Sequence, residues 1–138
     1  MIVIDSGPLV AAVNIRDRYH EPCARLLRSH PGPLLVPATV VTEVCQLIER
    51  RQGSKAEAAF LSSFRAGLAL ADVTAEDLDR MSELVEIYSD LPLGAVDASV
   101  IALAERLGLT EVATLDRRHF TVVRPRHVDA LTLLPERL

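Results

Sequence analysis

The stretch Met1-Ile-Val-Ile-Asp-Ser-Gly-Pro-Leu9 opens the chain with a short run rich in β-branched residues. An apolar run without alternation is typical of a strand that is buried on both faces, as in a parallel sheet. Asp5, Ser6 and Gly7 read as a turn, and Pro8 suits the first turn of a helix. The stretch therefore predicts a buried strand that leads directly into a helix, with an acidic residue at the junction.

The rest of the chain alternates apolar runs with segments of helical periodicity. Further strands are predicted at residues 34–36, 68–73 and 111–115, with a last one at either 121–123 or 130–134. Helices are predicted at about 19–29, at about 39–52, from 54, from 74 and at about 97–108. Thr39 is the expected N-cap of one of these helices, and Thr74 with Asp77 forms a capping-box pattern. Strands that alternate with helices imply an α/β fold, with a parallel sheet and right-handed crossovers.

At 138 residues, with 49% hydrophobic and 25% charged residues, the chain has the composition of a soluble globular domain. No repeat, low-complexity tract or linker divides it, so residues 1–138 are expected to form a single domain. No apolar stretch reaches membrane-spanning length, and no signal peptide is expected. Cys23 and Cys45 lack metal-ligand spacing, which indicates reduced, buried thiols in a cytoplasmic protein. The net charge of −4 argues mildly against indiscriminate nucleic-acid binding.

Four acidic residues lie just after an apolar run or in the first turn of a predicted helix: Asp5, Glu43, Asp97 and Asp116. In a parallel α/β sheet, both kinds of position fall on the edge formed by the carboxyl ends of the strands, where ligands bind. Carboxylates gathered there repel one another unless some are protonated or a cation lies between them. Asp5 and Glu43 also interrupt strongly apolar segments, where an uncompensated carboxylate is costly. The set therefore predicts a metal site.

Each of these acids also has a structural explanation when it is taken alone. Asp5 could form an Asx turn, and Asp97 could cap the helix that follows it. Glu43 could be a first-turn acid favoured by the helix dipole. Asp116 could be an ordinary turn residue.

Several neighbours of these acids have side chains that suit the same site. Arg117 and Arg118 adjoin the last acid and could bind the phosphates next to a reacting phosphodiester. Ser6 and Thr114 could hold a carboxylate by hydrogen bonding, or could bond local backbone instead. His119 is expected to be a surface or packing residue rather than a ligand, because hard cations prefer oxygen.

Four segments, taken in order, carry a resemblance to a known family: V-I-D-S-G-P-L (3–9), T-V-V-T-E-V (39–44), L-P-L-G-A-V-D-A-S-V-I-A-L-A (91–104) and A-T-L-D-R-R-H-F (113–120). The chain resembles the PIN-domain ribonucleases, in particular the VapC toxins of bacterial toxin–antitoxin pairs, over essentially its whole length. The resemblance implies a parallel sheet flanked by helices on both faces. It also implies dependence on Mg²⁺, or Mn²⁺, and endonucleolytic cleavage of RNA.

The resemblance implies roles for the acidic residues. Asp5, Glu43 and Asp97 match the acidic triad of the family, and Asp116 matches a fourth acidic position that is less uniform. Asp5 and Asp97 are the expected direct metal ligands. Glu43 is expected to orient or deprotonate the attacking water, or to ligate a second metal ion. The implied chemistry is metal-assisted hydrolysis of a phosphodiester.

The resemblance also implies partners. A VapB-like antitoxin would cover the acidic site with a tail that folds on this chain, and a homodimer of the chain is expected. Candidates for an apolar groove that receives the tail lie on the helices around the second acid: Val40, Val44, Leu47, Phe60 and Phe64. Burial in the core is the alternative explanation for most of them.

Other classes of protein fit the sequence less well. A phosphatase of the haloacid dehalogenase kind needs a second Asp two residues after the first, where this chain has Gly7. A response-regulator receiver needs a lysine after its last strand, and the single lysine, Lys55, lies elsewhere. A catalytically inactive PIN-like binding module is disfavoured by the complete acidic set. A PIN nuclease that processes RNA without being a toxin remains the main alternative.

Overall fold

The structure, a computed structural model that describes residues 1–138, is built on a parallel sheet of five strands. The strands are β1 (Ile2–Ile4), β2 (Leu34–Pro37), β3 (Leu68–Ala71), β4 (Glu111–Ala113) and β5 (Thr132–Leu134). Their order across the sheet is β3-β2-β1-β4-β5, and all pairs are parallel. The first strand of the chain is therefore the central strand of the sheet.

Seven α-helices connect and cover the strands. They are α1 (Ser6–Val13), α2 (His20–Ser29), α3 (Ala38–Gln52), α4 (Ser54–Ser62), α5 (Ala75–Ile87), α6 (Ala95–Leu107) and α7 (Arg117–Val122). All three residues of β1 are fully buried, so side chains that point to opposite faces of the sheet are both covered. This confirms the predicted parallel α/β fold with helices on both faces. None of the helices has the length and apolar character needed to cross a membrane.

The last strand lies at the second of the two positions predicted for it. β5 lies within residues 130–134, whereas the alternative at 121–123 is wrong because this segment is the end of α7 and its C-cap. The segment Thr121–Val123 is rich in β-branched residues and is therefore strand-like in sequence. Asp116 overrides that preference by accepting a hydrogen bond from the backbone N–H of His119 at 3.0 Å, which caps the helix.

The two predicted threonine caps have different outcomes. Thr74 accepts a hydrogen bond from the N–H of Asp77 and the Asp77 carboxylate accepts from the N–H of Thr74, which confirms the capping box of α5. Thr39 is not the N-cap of α3, since the helix begins at Ala38. Its hydroxyl instead lies 2.6 Å from the hydroxyl of Ser99 on α6, and this contact joins the two helices.

The helix α6 lies in the middle of the molecule. Its residues 98–104 are all buried, as expected for a helix that is covered on every side. It packs against α5 and α3 and contacts β1, β2 and β4. Asp97, directly before the buried segment, is the third residue of the helix, so the core of the molecule fixes the position of this carboxylate.

Candidate active site at the carboxyl edge of the sheet

The four predicted acids come from four different connections of the fold. Asp5 follows β1 and is the N-cap of α1, and Asp116 follows β4 and is the N-cap of α7. Asp97 lies in the first turn of α6. Glu43 lies in the second turn of α3, so the expected first-turn position is wrong by one turn. The structure brings all four near one another, since the charges of Glu43 and Asp97 act on Asp5, and those of Glu43 and Asp116 act on Asp97.

Asp5 is a buried carboxylate at the base of this group, with only 5% of its surface exposed. Its backbone N–H donates to the carbonyl of Ala113 at 2.9 Å, and its Oδ2 accepts a hydrogen bond from the Thr114 hydroxyl at 2.8 Å. The pKa of Asp5 is raised from 3.8 to about 7, mainly by burial; hydrogen bonds from Thr114 and from the backbone of Ser6 oppose the rise, and the charges of Asp97 and Glu43 add to it.

Thr114 holds two of the acids in place. While its hydroxyl donates to Asp5, it also accepts a hydrogen bond from the backbone N–H of Asp116 at 3.0 Å. The residue is fully buried, so these two bonds use its hydroxyl without competition from solvent. Of its two predicted uses, holding a carboxylate is confirmed, and it also bonds local backbone.

Asp97, Asp116 and His119 form the tightest part of the site. Nδ1 of His119 lies 2.7 Å from Oδ2 of Asp97 and 2.9 Å from Oδ2 of Asp116. One potential ligand atom from each residue lies within 4.8 Å of the others. Burial raises the pKa of Asp97, and the hydrogen bond from His119 offsets this only in part, while the charges of Asp116 and Glu43 add to it.

The sequence does not predict the position of His119 in this cluster. This residue was expected to lie on the surface or in packing contacts, but its imidazole lies between two of the predicted acids. The signal was its spacing from Asp116: the N-cap and the third residue of a helix are neighbours in space. That signal requires α7 to be recognised, and the sequence pattern had assigned a strand or a loop there.

Gly7 allows the start of α1 to pack closely against the loop that carries Asp116. A Cβ atom at this position would lie 3.1 Å from Cβ of Leu115 and 3.2 Å from two further atoms of the same side chain. Leu115 lies between Thr114 and Asp116, so the start of α1 packs directly on the loop that carries the last acid. A side chain at position 7 would require Leu115 to shift by a few tenths of an ångström.

The two arginines after Asp116 lie in different places. Arg118 is exposed, as a residue that binds substrate phosphates needs to be. Arg117 is partly buried, and its guanidinium donates to the backbone carbonyls of Leu133 and Pro135. Arg117 therefore holds the C-terminal segment to α7, and this placement does not favour the phosphate contact predicted for it.

The residues of the site suit a divalent cation. Asp5 and Asp97 have raised pKa values because burial and like charge disfavour their ionised forms, and a cation would reverse that effect. The Ser6 hydroxyl is buried next to Asp5 without a hydrogen-bond partner, so a polar group is available to a bound ligand. Carboxylate oxygens are the ligands preferred by Mg²⁺ and Mn²⁺.

Comparison with known proteins identifies the family. The model of the PIN domain family matches residues 2–124. Ribonuclease VapC26 of Mycobacterium tuberculosis is 31% identical over 135 residues, which are 97% of this chain and the whole of the relative. This match confirms the resemblance to VapC proteins drawn from the four sequence motifs.

Solved structures share the fold. The crystal structure of M. tuberculosis VapC20, described as a Sarcin-Ricin loop cleaving toxin, superposes with a TM-score of 0.78 at 24% identity, covering 86% of this chain and 93% of VapC20. VapBC2 of Rickettsia felis, solved with a DNA fragment from its promoter, gives a TM-score of 0.70 at 17% identity, covering 96% and 98% of the two chains. The match to the family model and the similarity to VapC26 establish that this chain belongs to the PIN-domain family.

Proposed function

We propose that this chain is a metal-dependent endoribonuclease that acts as the toxin of a toxin–antitoxin pair, with residues 1–138 working as a single PIN domain. The observation that carries the proposal is the group of four carboxylates at one edge of the sheet, none of which forms an ion pair with lysine or arginine. Such a group is stable when a cation neutralises it. The similarity to a protein named as a ribonuclease supports RNA as the substrate.

The proposed ion is Mg²⁺, with Mn²⁺ as a substitute, held by Asp5 and Asp97 and by Asp116. When bound, such an ion lowers the pKa of an attacking water and neutralises charge that develops on the phosphate. Glu43 has no ion-pair partner and is half-buried, so its carboxylate is free to orient or deprotonate that water. Arg118 is exposed, which supports the proposal that it contacts a neighbouring phosphate.

Chelation tests the metal requirement directly. The purified protein should cleave RNA with Mg²⁺ or Mn²⁺, lose this activity in EDTA, and regain it when the ion is restored. Cleavage that persists after complete chelation would contradict the proposal and indicate a metal-independent ribonuclease.

Two substitutions test the assignment of the site. Asp97→Asn and Asp5→Asn should each eliminate cleavage while the protein stays folded, because each removes one negative charge from the metal site with almost no change in shape. Asp90→Asn is the matched control, since Asp90 is an exposed acid in the turn after α5. A loss of activity in the Asp90 variant with normal activity in the Asp97 variant would show that the site is elsewhere.

Control of such a nuclease by a partner forms part of the proposal. Solved structures with this fold include VapBC2 of Rickettsia felis and VapBC of Salmonella typhimurium, each described as bound to DNA. We place the corresponding partner of this chain, a small antitoxin, over the acidic edge, where a basic side chain would take the position of the metal. Homodimerisation is proposed on the same basis.

The apolar residues predicted to receive the antitoxin are mostly part of the core. Val40, Val44 and Phe60 are buried, so they are not available to a partner. Beside them, α3, α4 and β3 form an apolar cleft of about 200 Å³. Its lining residues are Val41, Leu61, Phe64 and Leu70. Leu61 and Leu70 are 48% and 59% exposed, so this cleft is the better candidate for the docking site.

The neighbouring reading frame distinguishes a toxin from an RNA-processing nuclease. A gene for a small protein should lie directly beside this one, and co-expression should yield a complex with suppressed cleavage. If no such gene is adjacent, and the chain expressed alone cleaves RNA without harming the cell, the toxin assignment fails. A PIN nuclease that processes RNA then replaces it.

A further inference from the structure

We propose that His119 is itself a metal ligand, so that the site binds its ion through an imidazole nitrogen as well as through carboxylates. This inference rests on the proposed metal-dependent nuclease function. It goes beyond that function by adding a nitrogen donor from α7, and therefore by setting which ions the site prefers. Relative to a site of carboxylates alone, the nitrogen donor would shift the preference from Mg²⁺ toward Mn²⁺ and other first-row transition ions.

The position of the ring carries the inference. Nδ1 of His119 faces Oδ2 of Asp97 at 2.7 Å and Oδ2 of Asp116 at 2.9 Å. An ion held by these two carboxylates would occupy the space that Nδ1 also faces. Ligands of one ion, each about 2.1 Å from it, lie up to about 4.2 Å apart. The distances from Nδ1 to the two carboxylate oxygens, 2.7 Å and 2.9 Å, fall within that span.

The backbone around His119 limits how far the ring can move away. The N–H of His119 donates to Oδ1 of Asp116 at 3.0 Å, which ties the residue to one of the acids. The next residue, Phe120, is buried in the core and anchors α7. This fixed backbone keeps the imidazole within reach of the carboxylates, so its nitrogen can act as a donor when an ion enters.

The chemistry of the donor predicts the ion preference. Mg²⁺ is a hard cation that is bound mainly by oxygen and keeps several waters. Imidazole suits first-row transition ions, and Mn²⁺ tolerates a mixed oxygen and nitrogen set better than Mg²⁺ does. A carboxylate-only site of the same charge would discriminate less between the two ions.

Pulsed electron paramagnetic resonance of bound Mn²⁺ tests the inference without measuring activity. Coupling to a directly bound ¹⁴N nucleus should appear in the wild-type protein and disappear in His119→Gln. His127→Gln is the matched control, because His127 contacts the carbonyl of Leu109 and not the acidic site. Its Mn²⁺ spectrum should match that of the wild type.

Binding calorimetry with Mn²⁺ and with Mg²⁺ gives a second readout. His119→Gln and His119→Ala should weaken Mn²⁺ binding by at least about ten-fold, with a smaller change for Mg²⁺. Mn²⁺ binding without nitrogen coupling in the wild type would overturn the inference and leave the proposed nuclease intact. A wild-type protein that binds neither ion would overturn both. Equal losses of Mn²⁺ and Mg²⁺ affinity in both variants would also contradict the nitrogen ligand, since such losses indicate a general disturbance of the site.

Discussion

Asp5 shows how a single residue can favour function at the expense of stability. Its carboxylate is buried beside two other acids and is stabilised directly only by hydrogen bonds such as that from Thr114. Replacing Asp5 by a neutral residue would remove the cost of burying a charge and keep the hydrogen bond from Thr114. The proposed metal ion would compensate a carboxylate in such a place.

The raised pKa of Asp5 predicts how stability depends on pH. The pKa is raised from 3.8 to about 7, so between these values the folded state binds a proton that the unfolded state releases. The stability contributed by the protonated group is complete below about pH 4 and is lost as the pH rises through about 7. In EDTA, the melting temperature should therefore fall as the pH rises from about 4 to about 7, and this group should contribute no further change above that range.

Substitution identifies which carboxylate causes this pH dependence of stability. As the pH rises, the free energy of unfolding should fall less in Asp5→Asn than in the wild type, by an amount on the order of a few kcal/mol. One pKa unit corresponds to about 1.4 kcal/mol of this free energy. Asp97→Asn should act in the same direction, since burial raises the pKa of Asp97 as well. Asp90→Asn should keep the wild-type profile. Identical profiles for wild type and Asp5→Asn would refute the prediction.

Gly7→Ala tests the close approach of α1 to the loop after β4. The added Cβ would lie 3.1–3.2 Å from three atoms of Leu115, so that side chain and its loop have to move. The expected cost is about 1–3 kcal/mol of folding free energy, together with reduced metal affinity because Asp116 moves with the loop. Urea denaturation and calorimetry measure the two effects.

Gly94→Ala is the control for that substitution. An added Cβ at Gly94 would meet no atom within 4 Å, and its backbone φ of −86° is available to any residue. Its expected effect is below about 1 kcal/mol. If both variants behave alike, the contact with Leu115 is not what requires glycine at position 7.

At the scale of elements, the sequence predicts most of the fold. Apolar runs predict the strands, and the rules of parallel sheets predict that Asp5 and Asp116, which follow strands, lie at the same edge. What failed was local: Thr39 bonds Ser99 across two helices, and α7 replaced a strand-like segment. In both cases another interaction overrode the intrinsic preference of the local sequence. For Thr39 it is the contact with Ser99, and for α7 it is the cap provided by Asp116. The role of His119 depended on α7 and was missed with it.

The pairing of α5 with α6 gives a prediction about stability alone. Arg80 donates two hydrogen bonds to Glu105, at 2.8 Å and 2.9 Å, and the two side chains are 12% and 10% exposed. Arg80→Ala would leave Glu105 with a buried charge and only part of its compensation. We expect a loss of about 3 kcal/mol in urea denaturation, with unchanged metal affinity in the folded protein.

Arg25→Ala provides the comparison, because Arg25 pairs with Glu21 at 3.4 Å on the surface of α2. Exposed pairs of this kind contribute little, so the loss should stay within about 0.5 kcal/mol. Similar losses in the two arginine variants would contradict the distinction between the buried and the exposed pair.

Across the whole molecule, carboxylates occur in two opposite environments. Burial alone would raise the pKa values of Asp77 and Glu105, but the hydrogen bonds from Arg106 and Arg80 lower them overall. These acids stabilise the contact between α5, α6 and the C-terminal segment. At the carboxyl edge of the sheet, no arginine donates a hydrogen bond to Asp5 or Asp97, and the pKa values of both are raised. The stability of the folded chain is therefore expected to depend on its ion.

The last prediction is that Asp97→Asn changes stability with opposite signs in the absence and presence of metal. In EDTA near pH 8, the variant should melt at a higher temperature than wild type, because one of several mutually repelling carboxylates has become neutral. With Mn²⁺ or Mg²⁺, the wild type should gain stability, since an ion that binds only the folded state contributes about 2.7 kcal/mol at one hundred times its dissociation constant. The variant should gain little, so the order of the two melting temperatures should reverse. Asp90→Asn should follow wild type in both conditions. An equal gain in wild type and in Asp97→Asn would mean that the ion binds elsewhere, and the carboxylate cluster would then lose its proposed role.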